Sequence, residues 1–464
     1  MSAGTRDLTQ GPVWRALATV SGPMLLGIAA VLSVGLADAF FLSRLGGAPL
    51  AAVGYIYPVT TAITSLSIGL SAAANATVSQ ALGRGDDGAR VHRLSLHAVV
   101  TGGVLALAVA GLFYLASGPL FGLIGARDEA AGEIAKYVPW WALSFPFLVL
   151  MMQVNAVFRA HGRAGVASVT MLGAAALNIA LDPLLIFGWG PVPGLGTGGA
   201  ALATCIARVA AAVGVLLYAW REGVLAPCGQ PLRDLRESLV SLARIGGPAA
   251  FSNAINPAGM AAVTAAVATL GESAVAGFGA ATRVQSLAIV PLLALSSGIG
   301  PVVGQNWGAE KRERAGKGVG WAFTAATVYG LAAGAILFAL AGPIAGLLTP
   351  SDEERRIAAL YLRVVGWTLF GYGFVVIGNA AMNARDRALY SMGLSLARIL
   401  AVYLPLAWGG VMLFGYPGIL GAAAIANVLG AAGAVVLIRR TGLWTGLPDL
   451  PFLRSRPRPA AESR

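Results

Sequence analysis

The chain has 464 residues, of which 57% are hydrophobic and only 11% charged, with a formal charge of +12 and a mean hydropathy of +0.75. A soluble domain carries about 25% charged residues, so this composition excludes an ordinary soluble fold and describes a chain that crosses a membrane many times. The positive excess does not point to nucleic acid, because Lys and Arg form no basic domain and lie between apolar runs.

Twelve apolar segments follow one another, at 14–42, 51–81, 94–117, 134–157, 165–188, 199–219, 243–269, 274–304, 318–341, 358–383, 388–412 and 417–438. Each is expected to be a helix, because lipid admits only helices and closed barrels and barrel strands are far shorter. The first run follows a short polar N-terminus and is too long for a signal-peptide core, so it reads as an uncleaved span. Cys205 sits in an apolar run and Cys228 in a charged loop, so no disulfide framework is implied. Of the 32 Lys and Arg, 23 fall on the side of the termini, 6 on the other side, and Arg208, Arg283 and Arg398 lie within spans. That bias places both termini in the cytoplasm.

The acids are distributed more tellingly. Eighteen of the 20 Asp and Glu fall in loops, tails or helix ends, and only Asp38 and Asp182 lie deep within spans. A charge at the bilayer centre costs ~2.5–3.5 kcal/mol on insertion scales, so such residues face a bundle interior or a wet cavity and are functional by default. The competing reading has them neutralise a buried arginine, with Arg208 as the candidate. Asn178 stands four residues before Asp182, on the same helix face. Pro183 follows directly, so local distortion of the helix is expected there.

A shift of 225 residues pairs Gly22-Pro23 with Gly247-Pro248, Leu45-Gly46 with Leu270-Gly271, Ser71 with Ser296, Gln80 with Gln305 and Gly83 with Gly308. Later the shift drifts to 224 (Arg163 with Arg387) and 222 (Pro183 with Pro405). The chain is therefore read as an all-α membrane protein of twelve transmembrane helices. Two six-helix lobes are related by a pseudo-two-fold axis along the membrane normal. The expected boundaries are 1–220 for the first lobe, 221–244 for a cytoplasmic linker, 245–440 for the second lobe and 441–464 for a disordered cytoplasmic tail. The repeat pairs Asp38 with Val263, Asn178 with Leu400 and Asp182 with Leu404, so the acids belong to one half only.

Several motifs resemble those of the multidrug and toxic compound extrusion (MATE) transporters, and within them the prokaryotic DinF-type branch. They are Gly22-Pro23, Ala37-Asp38-Ala39-Phe40-Phe41, Val78-Ser79-Gln80-Ala81-Leu82-Gly83 with its partner Val303-Gly304-Gln305-Asn306-Trp307-Gly308, Phe158-Arg159-Ala160-His161-Gly162, Leu181-Asp182-Pro183 and Gly199-Ala200-Ala201-Leu202-Ala203-Thr204. The resemblance implies a non-enzymatic, monomeric efflux antiporter of the bacterial inner membrane. It would export organic cations and other amphipathic compounds in exchange for protons or sodium, without a cofactor. It also implies a coupling cluster of Asp38, Asn178, Asp182 and Thr204, with Tyr137, Asn155 and Met151 in the substrate cavity and a hinge in span one at Pro23. Other branches of the family carry a cation-binding acid in spans seven or eight. Here those spans hold Asn253, Asn256, Arg283 and Gln285 instead.

A carboxylate in low dielectric favours its protonated form, and two acids together favour it further, which suits proton coupling. The same oxygens with Asn178 and Thr204 could cage sodium. Trp140 and Trp141 are expected to be interfacial anchors. Arg283 and Arg398 are expected to pair with carbonyls or reach the interface, with a substrate or coupling role as the alternative. His92, His97 and His161 lack metal-ligand spacing. A lipid-linked oligosaccharide flippase would need a basic cavity, an intramembrane aspartyl protease a Gly-x-Gly-Asp motif, and a channel a filter loop. The acids in the first half argue against the flippase, and neither the protease motif nor a filter loop is evident.

Overall fold

The computed structural model describes residues 6–226 and 230–444. Its spans are Val13–Ser43, Gly47–Arg84, Gly88–Leu123, Asp128–Ala160, Ala164–Phe187, Thr197–Arg221 and, after the linker, Leu235–Ala268. Span 8 is Glu272–Ala288 with Val290–Gly308, and span 9 is Arg312–Leu348. Span 10 runs from Asp352–Val365 through a tight turn into Leu369–Ala384. Span 11 is Ala388–Leu396, a π-helical stretch Ala397–Tyr403 and Leu404–Phe414, and span 12 is Tyr416–Arg440. Every expected segment coincides with one span, and most of the helices run on past the apolar ends.

Departures from plain helix have local causes. Span 8 bends by 41° beside Pro291, whose ring and missing N–H interrupt the hydrogen-bond ladder. Span 7 carries Pro248, Pro257 and several polar residues, and it begins at Leu235, within the stretch read as linker. Between spans 5 and 6, Gly188–Trp189 pairs with Val192–Pro193 as a small hairpin that the sequence reading did not anticipate. Of the expected tail, Leu443 is buried and Trp444 packs near Phe323, while 445–464, like Cys228, lie outside the described residues.

The repeat is visible in the contacts themselves. Span 1 packs on span 8 where Ser21 meets Gly298, and span 7 packs on span 2 where Gly246 meets Ala73, its counterpart contact. Ser79 touches Gly304, which is its own partner under the 225-residue shift, so the pseudo-axis passes between them. The Ser71 hydroxyl donates to the Met152 carbonyl, and Ser296 to that of Val376. The small residues let backbones approach, which is how helices pack where lipid removes a hydrophobic drive.

The arginine-rich face is sealed by this symmetry. Gln80 Nε2 donates to the Ala384 carbonyl at 2.6 Å, and Gln305 Nε2 to the Ala160 carbonyl at 2.7 Å. Each bond joins one lobe to the other. Gly83 and Gly308 lie so close to the backbone of Gln305 and Gln80 that neither position has room for a Cβ. The segment before span 1 straps the seal. Arg6 N–H donates to the His161 carbonyl, Leu8 N–H to Gln305 Oε1, and Arg314 to the carbonyls of Leu8, Gln10 and Gly11.

Candidate functional site: a paired-acid cluster

Spans 1, 5 and 6 converge because small residues line their crossings. Gly27 of span 1 lies against Ser168 of span 5, whose hydroxyl donates to the Pro23 carbonyl. Gly199 of span 6 abuts the backbone of Leu185 and Ile186 in span 5. The helix continues through Pro183 without a break, so the distortion expected there is absorbed.

This packing turns the polar face of span 5 toward span 6. Asn178 Nδ2 donates to Thr204 Oγ1 at 3.2 Å and stands 3.5 Å from Asp182 Oδ1. The Thr204 hydroxyl donates in turn to the Ala200 carbonyl at 3.1 Å. Asp182 is fully buried and Asn178 nearly so. Asp38 of span 1 is half-buried and close enough to Asp182 for the two carboxyls to influence each other. All four residues expected to form the cluster are thus together.

Three oxygens of the cluster, Asp38 Oδ1, Asp182 Oδ2 and Asn178 Oδ1, accept no hydrogen bond among the described residues. Buried acceptors without donors are costly, and two carboxylates close together cannot both carry charge cheaply in low dielectric. A proton shared between the acids, or a hard cation among these oxygens and Thr204 Oγ1, relieves both penalties. Arg208 forms no ion pair with either acid. Its charge is felt by Asp38 and Tyr137, yet its Nη1 donates to Ser144 Oγ at 2.8 Å and its guanidinium stands 6.0 Å from the Trp141 ring. The nine ion pairs among the described residues include none with Asp38, Asp182, Arg208, Arg283 or Arg398.

Tyr137 belongs to the same electrostatic neighbourhood as the acids and Arg208. Asn155 and Met151 do not join it. On one straight helix they stand ~27 and ~21 Å further along span 4 than Tyr137, at 1.5 Å per residue, and both are buried. Trp141 departs from the anchor reading. It is 3% exposed, stacked on Phe145 at 5.4 Å and edge-on to Phe113 at 5.2 Å, because its side of span 4 faces spans 2 and 3. Trp140, one residue back, is 38% exposed on the outside. Sequence reasoning missed Ser144 as the group that holds Arg208. Its signal was weak, a lone serine two turns from Tyr137.

Two six-helix lobes closed on one face, with an intramembrane acid pair in one of them, define a membrane transporter. The MatE family model matches the chain twice, over residues 23–184 and 248–409, once in each lobe. The chain is 34% identical to a FAD transporter of Shewanella oneidensis, over 93% of this chain and 96% of that one. It is 25% identical to the multidrug export protein MepA of Staphylococcus aureus, over 92% of this chain and 94% of that one. A crystal structure of a mutant of the Vibrio cholerae MATE transporter VcmN superposes with a TM-score of 0.88 at 27% identity, covering 93% of this chain and 98% of that one. The chain belongs to the MATE family of multi-pass membrane transporters for small molecules.

Proposed function

We propose that this transporter is an efflux antiporter of the bacterial inner membrane, with its arginine-rich face and both termini in the cytoplasm. Amphipathic small molecules leave as protons or sodium enter, and Asp38 with Asp182 carries the coupling ion. The observation that carries this reading is the buried Asp182 beside Asn178 and Thr204 with the half-buried Asp38 close by, three acceptors unpartnered and no ion-paired arginine at either acid among the described residues. Such a site gains from binding a cation and cannot hold its charges alone. The seal on the arginine-rich face corresponds to the state in which the cluster communicates with the outside. The export activity named for MepA supports multidrug efflux, and the FAD transporter extends the substrate range to anionic dinucleotides.

The test is export from proteoliposomes under an imposed pH or sodium gradient, for the parent, Asp38→Asn and Asp182→Asn. Each substitution is expected to lower gradient-driven export by at least about tenfold, the equivalent of 1.4 kcal/mol. Export by both variants at the parent rate would sink the proposal. The gradient that drives the parent identifies the ion.

A further inference from the structure

The second lobe contains a buried charge that the coupling cluster does not use. Arg398 lies in span 11, the fifth helix of its lobe, as Asp182 lies in span 5. Its side chain is buried, at 8% exposure. Nη2 donates to Asn256 Oδ1 of span 7 at 2.7 Å, and Nη1 to Asn427 Oδ1 of span 12 at 3.3 Å. Asn427 is itself held by the Thr368 hydroxyl. Spans 7, 11 and 12 are the first, fifth and sixth helices of their lobe. Spans 1, 5 and 6, which supply Asp38, Asp182 and Thr204, are the same three helices of the other. The fold therefore builds a polar cluster from equivalent helices in both lobes, acidic in one and basic in the other.

The basic cluster is incomplete as a structural strut. A buried guanidinium ordinarily meets a carboxylate, and removing its partner leaves an uncompensated charge. Arg398 has no ion pair among the described residues, and its two acceptors are neutral amides. Its Nε has no hydrogen-bond partner among the described residues. Nε and Nη2 form the edge of the guanidinium that a carboxylate or phosphate engages through two parallel hydrogen bonds. The backbone is adapted around it. Arg398 lies in the π-helical stretch, a distortion common at functional sites. Gly430 of span 12 leaves the space for its stem, since a Cβ there would stand 2.9 Å from Arg398 Cδ. The Tyr372 ring lies 5.6 Å from the guanidinium, and Tyr372 and Asn256 are only half-buried.

We infer that Arg398, Asn256 and Asn427 form an anion-binding subsite in the second lobe that takes the phosphate group of an amphipathic substrate. The anion displaces an asparagine amide from the Nη2 edge and engages Nε and Nη2 together. This deepens the efflux reading and rests on it for the direction of transport, although binding at the subsite needs no gradient.

The test uses equilibrium binding to the purified full-length protein, with three fluorescent probes. They are FMN, riboflavin, which is the same ring and ribityl chain without the phosphate, and ethidium as a cation. The parent is expected to bind FMN at least tenfold more tightly than riboflavin. Arg398→Gln should bring FMN down to the level of riboflavin and leave riboflavin and ethidium unchanged, and Arg398→Lys should keep part of the preference. A parent that does not prefer FMN overturns the inference. So does an Arg398→Gln protein that keeps the preference, or one that weakens all three probes equally with a lowered melting temperature, which is the behaviour of a strut. Failure of the Asp38 and Asp182 variants to uncouple export would leave these binding results standing, so the two readings fail separately.

Discussion

The two lobes are alike in backbone and opposite in what they bury. The first holds Asp38 close to Asp182, and the second holds Arg398 between two asparagines. Both clusters sit where the first, fifth and sixth helices of a lobe meet. The repeated fold thus supplies a crossing at which a polar group can be buried, and the side chains placed there decide which ion or ligand it serves. Features kept in both halves belong to architecture. Features present in one half are where function has been added.

That rule sorts the molecule's other elements and makes them testable. Gly83 and Gly308 are counterparts, and each meets the opposite lobe's backbone in the seal. Replacing either with valine should hold the arginine-rich face apart. Overpacking of about 2 kcal/mol would shift the equilibrium between sealed and open states by about thirtyfold. Cysteine accessibility on that face should rise to a similar degree in both variants while export falls. A large effect in one lobe and none in the other would break the symmetry argument.

Pro23 and Pro248 are also counterparts, but only Pro23 stands on the helix that carries Asp38. Each removes one helical N–H. If span 1 bends at Pro23 as the acids take up their ion, Pro23→Ala should express normally and lose about tenfold in export, while Pro248→Ala stays within about twofold. Drug-resistance assays in whole cells measure both. Full resistance with Pro23→Ala would make the proline a static kink shared by the repeat.

The smallest effect expected concerns the strap before span 1. Burial works against the charge of Asp7, but the Thr9 hydroxyl and N–H and the Gln10 amide outweigh it and hold the carboxyl below its usual range. The stability it lends is present above the ordinary carboxylate range near pH 4 and fades as pH falls through it. Burial also pushes the His161 imidazole down, so the docked strap disfavours its protonation and loses stability as pH falls below about 6.5. Both act in one direction. Hydrogen exchange of residues 6–11, corrected for intrinsic rates, should be about two- to threefold faster at pH 5 than at pH 7.5. Equal protection at the two values would remove His161 from the account, and the Asp7 contribution is read from a further rise in exchange below pH 4.

Much of this was legible in the sequence. Lipid forces helices, so twelve apolar runs gave twelve spans, and one shift of 225 residues located the lobes. Two acids in apolar runs stand out because such residues are rare, and Asp38, Asn178, Asp182 and Thr204 did come together. The remainder depended on three-dimensional packing. Asn155 and Tyr137 share a helix and a polar character, but the helical rise separates them. Trp140 and Trp141 are neighbours in sequence, yet one faces outward and the other fills the core. Arg398 stood between a structural and a substrate role, because its sequence neighbours are apolar and show no partner. Its setting comes from Asn256 and Asn427, which are 142 and 29 residues away.

The central claim is that the acid pair of the first lobe exchanges its cation for substrate. It is tested most directly by adding substrate to the purified protein in weakly buffered solution and following released protons with a pH indicator and displaced sodium with a radioactive tracer. The parent should release one of the two ions when substrate binds, and Asp38→Asn and Asp182→Asn should release neither. Equal ion release from the parent and from both variants would contradict the account.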